Sequence, residues 1–140
     1  MRVTICTLMS LGIAAIAHAQ EDIRLYTDDY RIDAVPLVTD LNLPWALEFL
    51  PDGMMLITEK GGVLLLMDPA TGEREQIDGV PETRLIGQGG LMDVVLHPSF
   101  AENSLIYLTL AVPVEQYTVM TRVVRGRLDG NRLNDVEVVF

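Results

Sequence analysis

Cysteine is almost missing. The one example among 140 residues is Cys6, inside an N-terminal stretch that reads as a removable leader. The remainder therefore has neither disulfide nor thiol chemistry and must be held by its core alone. Aromatic residues make up only 6% of the chain, and basic residues are outnumbered, 10 Lys and Arg against 20 Asp and Glu, for a formal net charge of −10. Such an acidic balance speaks against nucleic acid and anionic membranes as partners. Helical periodicity is missing too: outside the N-terminal stretch no segment carries an amphipathic helix of useful length.

What is present begins with a leader. Arg2 supplies a positive start, residues 8–17 are almost wholly apolar, and Ala17-His18-Ala19 is a small-x-small cleavage site before Gln20. Residues 1–19 are thus expected to be a secretory signal peptide, too short for a comfortable membrane span. No membrane span is expected after cleavage, and the setting is periplasmic or secreted. Residues 20–33 carry Glu21, Asp22, Asp28 and Asp29 without a clear period and read as an extended leader. Asp28, Asp29 and Asp33 lack the alternating ligand spacing of a calcium loop.

From Ala34 to the C-terminus the pattern is β. Residues 34–38 form a short apolar run, and Trp45, Leu47 and Phe49 alternate with Ala46 and Glu48 at a period of two. On that pattern the first three face inward, Trp45 being core rather than a sugar-stacking platform. Pro51-Asp52-Gly53, Lys60-Gly61-Gly62 and Asp68-Pro69-Ala70-Thr71-Gly72 are turns separating strands at 54–58, 63–67 and 73–77. The second half repeats the plan. Pro98 follows Pro51 by 47 positions, and at that offset Trp45 meets Met92, Leu47 meets Val94 and Phe49 meets Leu96. Strands are expected to continue at 105–110, 118–128 and 133–140, with a tight hairpin at Asp129-Gly130-Asn131.

A four-stranded unit recurring about every 40–50 residues is the signature of a β-propeller blade, and one or two blades cannot close a ring. The expectation is therefore an all-β chain holding the first two four-stranded blades of a longer propeller. A small stand-alone β-sandwich of eight strands is the competing architecture.

Leu43-Pro44-Trp45-Ala46-Leu47-Glu48-Phe49-Leu50-Pro51-Asp52-Gly53, then Ile57-Thr58-Glu59-Lys60-Gly61-Gly62, Gly79-Val80-Pro81-Glu82 and the stretch from Gly87-Gln88-Gly89-Gly90 to His97-Pro98-Ser99-Phe100 resemble, in order, the start of the soluble aldose sugar dehydrogenases. These belong to the glucose/sorbosone dehydrogenase family. The resemblance implies a six-bladed propeller of which residues 34–140 are a part. It also implies pyrroloquinoline quinone and calcium as cofactors, an aldose sugar as substrate, a separate electron acceptor, and oxidation of the anomeric carbon to a lactone. It places Gln88 as a sugar contact, a role that suits an amide because it both donates and accepts hydrogen bonds. The family's catalytic histidine segment and its cofactor and calcium ligands have no counterpart in this sequence, so no catalytic, cofactor or metal residue is assigned. A non-catalytic secreted propeller used for binding is the alternative.

Among single residues, Gln88 has a structural alternative as a cap on turn amides. His97 is expected to be a turn histidine bonded to nearby backbone, and Glu59 and Lys60 to face water at a turn. Asp93 interrupts an apolar strand and needs a partner, either loop amides near Gly87 or an open channel. Met54, Met55, Met67 and Met92 read as core filling.

Overall fold

The computed structural model of the chain describes residues 23–26, 28–115 and 118–140. The signal peptide expected at 1–19 lies outside these described residues. The chain divides into two compact units, one up to Pro36 and one from Leu37 to Phe140.

In the first unit, β1 (Ile23–Tyr26) and β2 (Arg31–Ala34) pair antiparallel, Tyr26 opposite Arg31. The stretch expected to be an extended leader is therefore a hairpin over its described part. Its alternation of apolar with charged residues, Ile-Arg-Leu-Tyr and Arg-Ile-Asp-Ala, is the period-two signal of a strand. The short apolar run at 34–38 is strand only at Ala34. Pro36, which has no N–H to give a ladder, stands in its middle.

The second unit holds two four-stranded antiparallel meanders. One orders β3 (Pro44–Phe49), β4 (Met55–Glu59), β5 (Val63–Met67) and β6 (Arg74–Gln76). The other orders β7 (Leu91–Leu96), β8 (Leu105–Glu115), β9 (Thr118–Asp129) and β10 (Arg132–Val138). The expected strands are all present, with β8 running further than its sequence expectation. The turns work through short polar side chains: Asp52 and Asp68 each accept the N–H two residues on, at 3.0 and 2.8 Å. One four-residue helix, α1 (Phe100–Asn103), fills the lengthened turn between β7 and β8. No described helix is long and apolar enough to cross a membrane.

The main core lies between the two sheets. Leu56 and Leu64 of the first sheet meet Val94, Ile106, Leu108, Leu110 and Val124 of the second, all buried. The segment after β6 ties the sheets at the far edge, where Asp78 donates its N–H to Asn131 and accepts that of Leu133. A smaller cluster on the back of the first sheet gathers Met55, Ile57, Leu65 and Met67 under Val38 and Leu41.

This layout corrects one expectation. Trp45, Leu47 and Phe49 were expected to face inward, yet they are 46, 53 and 58% exposed. The shared phase holds, because Val94 and Leu96, their counterparts in β7, pack into the main core. Leu47 and Phe49 stand opposite Ile57 and Met55, on the back of the first sheet, and only part of that back is covered. Ala46 points the other way, into the main core.

Candidate sugar-contact site

The site is built where β3 and β7, the first strands of the two sheets, lie side by side. Each carries a bulge near its start, between Pro44 and Ala46 in β3 and between Leu91 and Val94 in β7. Thr58, fully buried on β4, joins them: its hydroxyl accepts the Ala46 N–H at 3.0 Å and donates to the Met92 carbonyl.

Immediately beyond Thr58, the end of β4 organises the loops. Glu59 is 8% exposed, so the expectation that it faces water is wrong. Its carboxylate accepts the Asn42 N–H at 2.6 Å, a charge-assisted bond that satisfies a buried oxygen. The Lys60 N–H goes to the Leu43 carbonyl at 3.0 Å. Between these bonds Leu43 is held at φ 54°, a left-handed conformation that a branched side chain rarely adopts. That bend delivers Pro44 and Trp45 into the start of β3.

The glycine-rich stretch forms a two-residue turn. Gly89 N–H donates to the Ile86 carbonyl at 2.8 Å, and only Gly87, at φ 54°, takes a positive φ of the two central residues. That is the II′ pattern, with glycine at its first central position. Gln88 is the second central residue and is exposed. Its side chain makes no hydrogen bond among the described residues, and the Gly89 N–H that closes the turn goes to the Ile86 carbonyl instead. The flanks are tied to β8: Arg84 N–H and the Thr83 hydroxyl both reach the Ala111 carbonyl at 2.9 Å, and Ala111 N–H reaches Gly90.

Lys60 meets this turn. Its ammonium donates to the Gly87 carbonyl at 3.1 Å, an exposed bond, and lies 5.0 Å from the centroid of the Trp45 ring. Lys60 stands at a turn with its ammonium bond exposed, as expected, whereas Trp45 was expected in the core. Instead an amide, an ammonium and an indole share one loop cluster. Hydroxyl-rich ligands are recognised by such means: amides and ammonium groups bond hydroxyls, and an aromatic face takes the C–H side of a ring.

The other sequence candidates lie elsewhere. His97 Nδ1 accepts the Ser99 N–H at 3.0 Å, lies 2.9 Å from the Asn103 amide nitrogen, and its ring stacks on Tyr107 at 6.1 Å. Asp93 is exposed in the β7 bulge and accepts its neighbour Val94's N–H at 3.1 Å rather than an amide of the Gly87 turn. No three His, Cys, Asp or Glu side chains come together to hold a metal ion among the described residues.

Comparison with known proteins bears on all of this. The family model for Glucose / Sorbosone dehydrogenase matches residues 41–140. Aldose sugar dehydrogenase YliI of Escherichia coli is 42% identical over 103 residues, which are 71% of this chain and 28% of that protein. A solved glucose dehydrogenase superposes with a TM-score of 0.71 at 40% identity, over 74% of this chain and 33% of that one. The PQQ-bound form of aldose sugar dehydrogenase from Streptomyces coelicolor superposes with a TM-score of 0.66 at 28% identity, over 74% of this chain and 31% of that one. The chain thus spans about a third or less of the length of the relatives it matches. Its two antiparallel sheets are β-propeller blades of the kind those glucose dehydrogenases contain. This chain belongs to the glucose/sorbosone dehydrogenase family.

Proposed function

We propose that this chain is the N-terminal part of an exported enzyme that oxidises an aldose sugar at its anomeric carbon, yielding the lactone and passing electrons to a separate acceptor. In this reading residues 1–19 direct export to the periplasm and are removed, and residues 34–140 begin the propeller. Gln88 bonds hydroxyl groups of the bound sugar. The observation that carries the site is the exposed Gln88 at the apex of a turn fixed on both flanks, with its amide unspent among the described residues.

Pyrroloquinoline quinone, as in the bound form of the Streptomyces relative, would supply the redox chemistry. Calcium would accompany it. The described residues of this chain do not fit either group: they gather no metal-ligating cluster, and the Gln88 turn offers one ammonium, itself bonded to Gly87. No step through the quinone or the metal is therefore assigned to this chain.

The test is the complete gene product, isolated from the periplasm and supplied with pyrroloquinoline quinone and Ca²⁺, assayed by dye reduction across a panel of aldoses. The expected result is a mature N-terminus at Gln20 and turnover of at least one aldose. Gln88→Ala should raise KM about tenfold with a much smaller change in kcat, as for a lost binding hydrogen bond. No turnover with any aldose in the loaded protein would sink the reading.

A further inference from the structure

We propose that Lys60 is a positioning residue that sets the direction of Gln88, and through it the affinity for sugar; the second half of this statement rests on the proposed sugar contact by Gln88. Lys60 grips the turn on both sides of that residue. Its ammonium donates to the carbonyl of Gly87, the residue just before Gln88, at 3.1 Å. Its backbone carbonyl accepts the Leu91 N–H, just after the turn, at 3.1 Å. Between them the backbone passes so close that a Cβ on Gly90 would sit 2.3 Å from the Lys60 carbonyl oxygen.

Holding the Gly87 carbonyl holds the peptide plane between Gly87 and Gln88, because that unit is rigid. The plane in turn sets where the Gln88 side chain leaves the backbone. The backbone bonds between Ile86 and Gly89 close the turn, while the space around its apex is open: a Cβ placed on Gly87 would meet no atom within 4 Å. Glycine on either side otherwise leaves Gln88 a wide choice of directions. Trp45 narrows the choice further, since the attraction of its ring for the ammonium keeps the Lys60 side chain on one path.

A double-mutant comparison in the complete, cofactor-loaded protein tests this. Lys60→Met, which keeps an apolar stem, should raise KM about tenfold with kcat changed far less, and Lys60→Arg, which keeps a donor over Trp45, should restore most of the affinity. In a Gln88→Ala background Lys60→Met should change KM by less than about twofold, because the residue it acts through is gone. Equal effects in both backgrounds would overturn the proposal. Hydrogen exchange at the Gly89 amide, which closes the turn, separates this from the sugar reading. Exchange about tenfold faster in Lys60→Met and near normal in Lys60→Arg upholds the clamp even if Gln88→Ala leaves KM unchanged, whereas unchanged exchange refutes it. Should Lys60→Met not fold, Lys60→Leu, which also lacks a donor, carries the same comparison.

Discussion

Replacing Thr58 by valine removes one hydroxyl and keeps the shape. The hydroxyl is fully buried and serves both bulges at once, accepting from Ala46 and donating to Met92 across the two sheets. Valine would leave a part-buried N–H and a part-buried carbonyl without that partner. Each such loss costs about 1–3 kcal/mol, so the pair should cost about 3 kcal/mol. With a urea dependence of about 2 kcal/mol per molar, the midpoint should fall by about 1–2 M. Thr58→Ser is the control: it keeps the hydroxyl and loses one methyl, for about 1 kcal/mol. Urea unfolding of the purified protein should therefore rank wild type above serine and serine above valine. If the valine variant matched or exceeded the serine variant, Thr58 would be acting through packing, and the account of the bulges as a hydrogen-bonded junction would be wrong.

Gly90→Ala should destabilise by about 2–4 kcal/mol in the same assay, since the added Cβ would overlap the Lys60 backbone, while Gly61→Ala, with open space around it, should stay within about 1 kcal/mol of wild type. Asp40 is held below its ordinary pKa of 3.8 chiefly by the hydrogen bond from the Arg74 guanidinium. Between the lowered folded value and the ordinary one the unfolded chain binds more protons, so this pair contributes stability above the ordinary carboxylate pKa and loses it as pH falls through the folded value. Asp40→Asn should accordingly flatten the acid limb of a stability–pH profile without altering its slope near neutrality; an unchanged acid limb would show that the pair contributes nothing.

The blades were legible because their determinants are local. Alternation over Trp45 to Phe49, the proline–glycine turns at 51–53 and the Asp129-Gly130 hairpin each act within a few residues, and the offset of 47 positions joins them into a repeat. The hairpin of β1 and β2 shows the same signal overlooked: Arg24 stands opposite Asp33 and Leu25 opposite Ile32, an alternation as regular as that of β3 but shorter. The hydrogen-bonding partners of the site are of another kind. Asn42 and Glu59 are 17 positions apart, and Lys60 and Gly87 are 27 apart. No local pattern says that the residue after a buried carboxylate will reach a particular glycine carbonyl, so a Glu-Lys pair before two glycines reads as a solvated turn until the sheets are folded beside each other.

Trp45, Leu47 and Phe49 mark the boundary between these two kinds of information. A period of two fixes which side chains share a face, and the repeat fixes that the face is equivalent to the one carrying Val94 and Leu96. Whether a face is buried is a property of its neighbour. The second sheet finds that neighbour in the first; among the described residues the back of the first sheet is met by Val38 and Leu41. The same strand, in the same phase, is therefore core in one repeat and exposed among the described residues in the other, and the Trp45 ring lies 5.0 Å from the Lys60 ammonium. A residue read as core filling from its period thus becomes part of the cluster that holds Gln88, because a strand edge next to a loop can belong to both.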